Sequence, residues 1–469
     1  APVGAHADLL AYLVRRLLEN GANSSFVNQI VDEDVAPEVV AADPFDSLAE
    51  SGLHIPTGPE LYAPARVNSM GFDLMHTPTL DVIESARAPW KAHRWAAVPL
   101  LNGEAKPKKS ARLMNPAASG RSPGTVRNAS EADVAKALDN AAVWDAPLEE
   151  RREVLLRAAD MLESHYGEIF ALLAREAGKG LPDCVAELRE AVDFLRYYAA
   201  RCQEGTDSPL GTFACISPWN FPLAIFTGQL SAALAAGNAV LAKPAEQTPL
   251  IAHFATRLLH EAGVPRAALQ LLPGAGDVGA VLTSCADVDG VAFTGGTETA
   301  QIIHRSMAQN LAPGAPFIAE TGGLNAMIVD STALPEQAVQ AIVESAFQSA
   351  GQRCSALRCL YVQEDIAEDL LKMLTGAMDA LRLGDPWQLA TDSGPVIDAD
   401  LVDAYTQGKL GGAQFVLNEA TSLANETLSD FDLSENVGVE EHCRAAIGVL
   451  TDGVANFFSP HGVDAIGGL

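Results

Sequence analysis

Apolar residues at Leu9, Leu10, Leu13, Val14, Leu17 and Leu18 recur with helical spacing, predicting an amphipathic helix at the start of residues 8–30 that stops at Asn20-Gly21. From Ala36 to about Pro64 the chain is rich in Pro, Asp and Gly and shows little periodicity, as expected of a linker. Helical spacing returns over 131–142, 148–162, 166–177 and 185–201. From Gly211 onward short apolar runs alternate with helical stretches. The runs are Phe213-Ala214-Cys215-Ile216, Ala239-Val240-Leu241-Ala242, Leu269-Gln270-Leu271-Leu272, Gly290-Val291-Ala292-Phe293 and Ala326-Met327-Ile328-Val329. This alternation predicts βαβ units and an α/β fold with a mainly parallel sheet covered on both faces. Leu223 to Ala242 is uncharged and of membrane length, but Gln229, Gly237 and Asn238 interrupt it, so it reads as a buried helix, a turn and a strand.

Composition narrows the function classes. A chain of 469 residues with 48% hydrophobic and 19% charged residues has the profile of a globular protein of two or three domains. Its net charge of -29 disfavours nucleic acid and anionic membranes, whose affinity is carried by Lys and Arg. The seven cysteines, at 184, 202, 215, 285, 354, 359 and 443, are scattered, without a C-x-x-C pair. That pattern implies a reducing compartment and no structural zinc, and the N-terminus has no signal-peptide pattern. Cytoplasmic residence is the expectation.

Four segments carry candidate chemistry. Gly351-Gln352-Arg353-Cys354-Ser355 offers a thiol after a small, polar approach, and Ile318-Ala319-Glu320-Thr321-Gly322-Gly323 offers a carboxylate followed by glycines that allow close backbone approach. Ser217-Pro218-Trp219-Asn220-Phe221-Pro222 supplies a side-chain amide in a stiff turn, and Ala242-Lys243-Pro244-Ala245-Glu246 supplies a lysine and an acid at a strand end. Gly274-Ala275-Gly276-Asp277-Val278-Gly279 also reads as G-x-G-x-x-G after an apolar strand, a weak signal when it stands alone.

Together these segments resemble the NAD(P)-dependent aldehyde dehydrogenase superfamily, and most closely the L-glutamate γ-semialdehyde (pyrroline-5-carboxylate) dehydrogenase half of the bifunctional proline utilization A proteins. The resemblance implies the aldehyde dehydrogenase fold: a Rossmann-like parallel-sheet NAD-binding domain over 110–325 and a shortened α/β catalytic domain over 326–400. It implies NAD as cofactor, no metal, a small aldehyde substrate, no nucleic-acid partner, no membrane span and a possible homo-oligomer. Cys354 would be the nucleophile, forming a thiohemiacetal that releases hydride and becomes a thioester; Glu320 would activate water, and Asn220 would stabilise the oxyanion. The cofactor would lie against Ser217, Pro218, Trp219, Lys243, Glu246, Gly276, Phe293, Thr294, Gly295, Gly296 and Thr297, with Gly274 to Gly279 beside its adenosine end. An acid at Glu246 near the adenosine ribose disfavours the extra phosphate of NADP. Ser355, Phe194, Arg353 and Glu187 would face the substrate, although Arg189 and Asp193, four apart on the same helix, could equally form a surface ion pair.

The resemblance also marks the ends of the chain. Residues 1–35 are similar to the closing helix of a proline dehydrogenase barrel, but Arg15 and Arg16 read as a solvated pair, because a whole barrel takes at least about 200 residues. Neither flavin binding nor proline oxidation is expected. Residues 36–109 read as linker and lead-in. Past Val396-Ile397-Asp398 the likeness fades, and the family's E-x-F-G-P, P-F-G-G and glycine-serine segments are not found between Asp400 and Leu469, leaving 401–469 as a divergent tail. An impaired nucleotide-binding remnant, serving oligomerisation or partner binding, is the alternative reading.

Overall fold

A computed structural model describes residues 55–118, 120–201 and 208–399, with positions 14, 32, 34–41, 43, 45 and 401. Apart from position 14, the expected helix that stops at Asn20-Gly21 lies outside the described residues, as does the tail beyond 401. The chain divides after Thr57 into two units. In the first, Pro37–Val40 forms one helical turn.

The second unit contains α1 (Thr77–Arg87), β1 (Trp95–Ala97), β2 (Ser110–Arg112), β3 (Gly124–Arg127), α2 (Glu131–Asp139), α3 (Leu148–Ser164), α4 (Tyr166–Glu176) and α5 (Leu181–Arg201). It continues with β4 (Thr212–Ile216), α6 (Ala224–Ala235), β5 (Ala239–Lys243), α7 (Pro249–Ala262), β6 (Leu269–Leu271), α8 (Gly276–Thr283), β7 (Gly290–Gly295), α9 (Thr297–Asn310) and β8 (Phe317–Thr321). A further layer holds β9 (Asn325–Val329), α10 (Pro335–Phe347), β10 (Leu357–Val362) and α11 (Glu364–Asp379).

The central sheet runs β6-β5-β4-β7-β8, with every pairing parallel. Strand order therefore reverses between β4 and β7, which opens a crevice at their carboxyl ends. Both faces are covered. One carries a cluster that includes Leu155, Phe170, Leu188, Phe226 and Leu258, and the other packs Val134, Leu241, Val278, Phe293 and Ile303. All five residues of β5 are buried, so its sequence is continuously apolar rather than alternating. Helix α6 is likewise buried on nearly every side, which accounts for an uncharged run without amphipathic period. Local signals set several ends: Ser130 and Asp133 cap α2 reciprocally, and Gly263, at φ 122°, closes α7.

Two features go beyond what local sequence specifies. Among the described residues, strand 325–329 pairs with β10 in a two-stranded parallel sheet rather than with the central sheet; apolar runs identify strands but not their partners. The lead-in over 36–109 is also more than linker. Helix α1 buries Ile83 and Arg87, and the Arg87 guanidinium donates to the Trp387 carbonyl at 2.6 Å while lying 4.6 Å from that residue's ring centroid. A buried arginine at the end of a short helix is invisible to a search for apolar periodicity.

Candidate active site

A cleft of about 510 Å³ lies at the strand-order reversal. Its walls come from the ends of β4, β5 and β7, from α8 along its length and from the first two turns of α9. Ten of the expected cofactor contacts line it: Ser217, Pro218, Trp219, Lys243, Glu246, Gly276, Phe293, Thr294, Gly295 and Gly296. Thr297 is not among the lining residues; it opens α9, after the N-cap Gly296. Cβ atoms built on Gly276 and Gly296 would meet nothing within 4 Å, so both glycines leave backbone bare toward open space. Gly274 differs: a Cβ there would sit 2.3 Å from a Val278 methyl, so this glycine serves the tight turn into α8.

Lys243 is buried at the end of β5, and its ammonium lies 3.5 Å from Glu246. Burial lowers its pKa, opposed by Glu246 and by the more distant Asp277. Asp277 itself is held below the usual carboxylate range by a 2.8 Å ion pair with Lys108. Gln247, Ala280, Thr283, Thr299, Ile302 and Ile303 also line the cleft and were not anticipated. Positions 276, 279, 280 and 283 follow one helical stripe, as do 296, 299 and 303, so extending the glycine motifs by helical phase would have found most of them.

Cys354 is exposed, whereas Cys184 and Cys215 are buried. Burial pushes the Cys184 thiol upward and the Cys215 thiol to about 12, leaving both poor thiolates. The approach to Cys354 is conformationally unusual. Ser349 and Ala350 both have φ of 56° and Gly351 has φ of 66°, the left-handed region that only glycine enters freely. Two such non-glycine residues side by side are held in place by their surroundings. The Gln352 amide donates to Ser349 O at 2.9 Å, while its side-chain oxygen accepts from Ile397 N at 2.9 Å. The Asn325 amide, at the start of β9, donates to the carbonyls of Cys354 and Ala356 at 2.7 and 2.8 Å.

Asn220 meets this loop directly, donating from Nδ2 to Gln352 O at 3.1 Å. An amide nitrogen carries two hydrogens, so one donor remains for a reacting oxygen. Glu320 is exposed on β8 and lies opposite Thr294 in the parallel register. Because paired residues share a face, its side chain projects on the same side of the sheet as the cleft-lining Thr294.

The expected substrate contacts divide. Ser355 is exposed beside Cys354, and Phe194 is half-buried, stacked at 6.1 Å on Tyr198 and packed over Gly228. Arg353 turns its guanidinium to Asp183 at 2.6 Å rather than outward. Glu187 contradicts the expectation: it is 1% exposed, pairs with Lys179 at 2.9 Å and accepts N–H groups of Leu223 and Ala224 at the start of α6. A carboxylate so enclosed has no face left for a substrate. Nor do Arg189 and Asp193 pair with each other. Asp193 binds Arg66 and Ser69 instead, because the lead-in segment covers that helix face.

Among the described residues no helix is long and apolar enough to cross a membrane, and no cluster of His, Cys, Asp or Glu could hold a metal.

Comparison with known proteins follows the same outline. Residues 103–422 match the model of the aldehyde dehydrogenase family, and residues 1–29 match that of proline dehydrogenase. The bifunctional protein PutA of Klebsiella aerogenes is 51% identical over 423 residues, covering 85% of this chain and 32% of that protein. The chain thus spans about a third of the length of this curated relative. A crystal structure of a single-residue variant of Bradyrhizobium japonicum proline utilization A superposes with a TM-score of 0.71 at 43% identity, over 87% of this chain and 41% of the other. The 1-pyrroline-5-carboxylate dehydrogenase from Thermus, solved with bound NAD, gives a TM-score of 0.68 at 31% identity, over 73% and 72% of the two chains.

Proposed function

Given that the chain belongs to the aldehyde dehydrogenase family, we propose that it oxidises L-glutamate γ-semialdehyde to L-glutamate with NAD, a step of proline catabolism. The observation that carries the reading is the pairing of an exposed Cys354 with the Asn220 amide, which touches the Cys354 loop through Gln352, close to a switch-point cleft. The names of the similar PutA and Thermus proteins supply the substrate and the cofactor.

The cleft suits a dinucleotide by its own features. Bare glycine backbone at Gly276 and Gly296 allows close approach of a pyrophosphate, and the α9 N-terminus presents N–H groups with no side-chain cap. Lys243 and Glu246 would hold the adenosine ribose. NAD bound there supplies the acceptor for the hydride lost from the substrate carbon.

This chain's residues do the rest. The Cys354 thiolate adds to the aldehyde carbon, and the developing oxyanion takes hydrogen bonds from the second Asn220 N–H and the Cys354 backbone N–H. The thiohemiacetal so formed is oxidised to a thioester. Glu320 then removes a proton from water, which attacks the thioester and frees the carboxylate and the thiol. Ser355 and Phe194 would contact the polar end and the aliphatic portion of the substrate. Arg353 acts by holding the loop. The domain limits near 110–325 and 326–400, homo-oligomeric assembly and cytoplasmic residence belong to the same proposal. The exposed Ile318, Leu324 and Ile328 support an assembly contact around β8 and β9, and the free thiols among the described cysteines support a reducing compartment. A non-catalytic remnant has less support, since such a scaffold requires neither an exposed thiol nor an amide aimed at its loop.

NADH formation at 340 nm from the semialdehyde and NAD, with Cys354→Ala as control, tests the reading. Activity in the wild type alone is expected; a flat wild-type trace with NAD still bound would eliminate it.

A further inference from the structure

Three buried charges spaced four residues apart tie together the two halves of the site. Lys179, Asp183 and Glu187, at 3%, 4% and 1% exposure, sit just before and within the first two turns of α5. The Lys179 ammonium donates to the Asn220 carbonyl at 2.5 Å, pairs with Glu187 at 2.9 Å and lies 4.6 Å from the Phe221 ring centroid. Glu187 receives the N–H groups of Leu223 and Ala224 at 3.2 and 2.8 Å, so Asn220 through Ala224 is held from two sides. One turn away Asp183 receives Arg353 at 2.6 Å and Gln348 at 3.0 Å, gripping the loop on either side of the left-handed pair Ser349-Ala350. The Arg353 guanidinium also lies 5.9 Å from the same Phe221 ring.

A single helix end therefore holds the Asn220 turn with one pair of charges and the Cys354 loop with a third. We propose that Lys179, Asp183 and Glu187, a column of buried charges four residues apart, are positioning residues that set the Asn220 amide against the Cys354 thiol. The proposal rests on the roles given above to Asn220 and Cys354. Burying three charges is costly, and exchange for apolar residues of similar volume is often neutral for stability, so a purely structural role gives little reason to keep them. A reacting geometry does give one, since displacement by about 1 Å can cost on the order of 10² in rate.

A double-mutant cycle on the full chain separates the two roles. NADH formation is measured for the wild type, Asn220→Ala, Glu187→Gln and the double variant, each checked for an unchanged melting profile. Glu187→Gln is expected to lower kcat by about tenfold or more while KM for NAD stays within about twofold. On the Asn220→Ala background the same change is expected to cost less than about twofold, because the amide that the column positions is gone. Equal losses in both backgrounds, or no loss in either, would overturn the proposal. Asp183→Asn approaches from the thiol side with the same expected non-additivity, and replaces Glu187→Gln if that variant does not fold.

A wild type that makes no NADH counts against the reaction rather than the column. Amide hydrogen exchange without cofactor then decides. The Leu223 and Ala224 amides are expected to exchange at least about tenfold faster in Glu187→Gln, with Leu172 and Leu173 in α4 unchanged. Unchanged exchange at Leu223 and Ala224 would refute the column.

Discussion

Replacing Glu246 by glutamine removes one negative charge from the rim of the cleft and leaves the side chain's size alone. Glu246 is 51% exposed and lies 3.5 Å from the Lys243 ammonium, which is almost fully enclosed. If the carboxylate holds the adenosine ribose, a 2′-phosphate would come within roughly 5 Å of it. At that distance, with an effective dielectric of about 40, each unit of charge repels by about 1.7 kcal/mol. A phosphate carries more than one unit, but salt and exposure screen the interaction, so about 1–2 kcal/mol is a reasonable net repulsion. Removing it should improve kcat/KM for NADP by roughly 5- to 30-fold. NAD meanwhile loses a charge-assisted hydrogen bond, of about the same size. The NAD to NADP preference should thus fall by about two orders of magnitude. Lys243 retains Asp277 as a carboxylate acting on its charge, so the site should not collapse. Initial rates at 340 nm with both nucleotides give the ratio. A ratio unchanged within about threefold would refute Glu246 as the ribose contact.

Three further outcomes are expected. Asn220→Ala should lower kcat by about 10²–10³ with little change in KM for NAD, measured by steady-state kinetics. Among the described cysteines, Cys354 should be alkylated first by iodoacetamide, with Cys184 and Cys215 labelled only after unfolding, as peptide mapping would report. Glu176, the last residue of α4, is fully enclosed against the start of α7, where burial raises its pKa from 4.5 to about 8 against the lowering effect of hydrogen bonds from Leu250 and Ile251. A carboxyl raised on folding contributes most below its unfolded pKa, and loses that contribution as pH climbs through the folded value. The wild type should therefore lose melting temperature relative to Glu176→Gln between about pH 5 and pH 9; parallel profiles would contradict this.

Much of this architecture is legible in local sequence. The strands at 212–216, 239–243 and 269–271 fall within a residue or so of the apolar runs that predict them, because fully buried parallel strands have no polar face to interrupt the run. The cleft contacts are legible for a related reason. Strand ends followed by glycine or proline mark places where backbone is left bare, and Ser217, Lys243 and Thr294 all sit at such ends. The column on α5 was hidden because charges four residues apart look like a solvated face. Nothing in Glu187 itself signals that its partners are a lysine eight residues earlier and the N–H groups of another helix. The ion pair of Arg353 is equally illegible, since its partner Asp183 is 170 positions away. Long-range polar pairing is a property of the assembled fold, and local periodicity carries no trace of it.

The central claim is that the sulfur of Cys354 becomes acylated during turnover. Rapid acid quench of the wild-type chain with NAD and the semialdehyde, followed by peptide mass analysis, tests it most directly. The account predicts a glutamyl thioester on the peptide containing Cys354, formed together with a matching burst of NADH and absent from Cys354→Ala. NADH formed at the wild-type rate by Cys354→Ala, or an acyl group on a different residue, would contradict it.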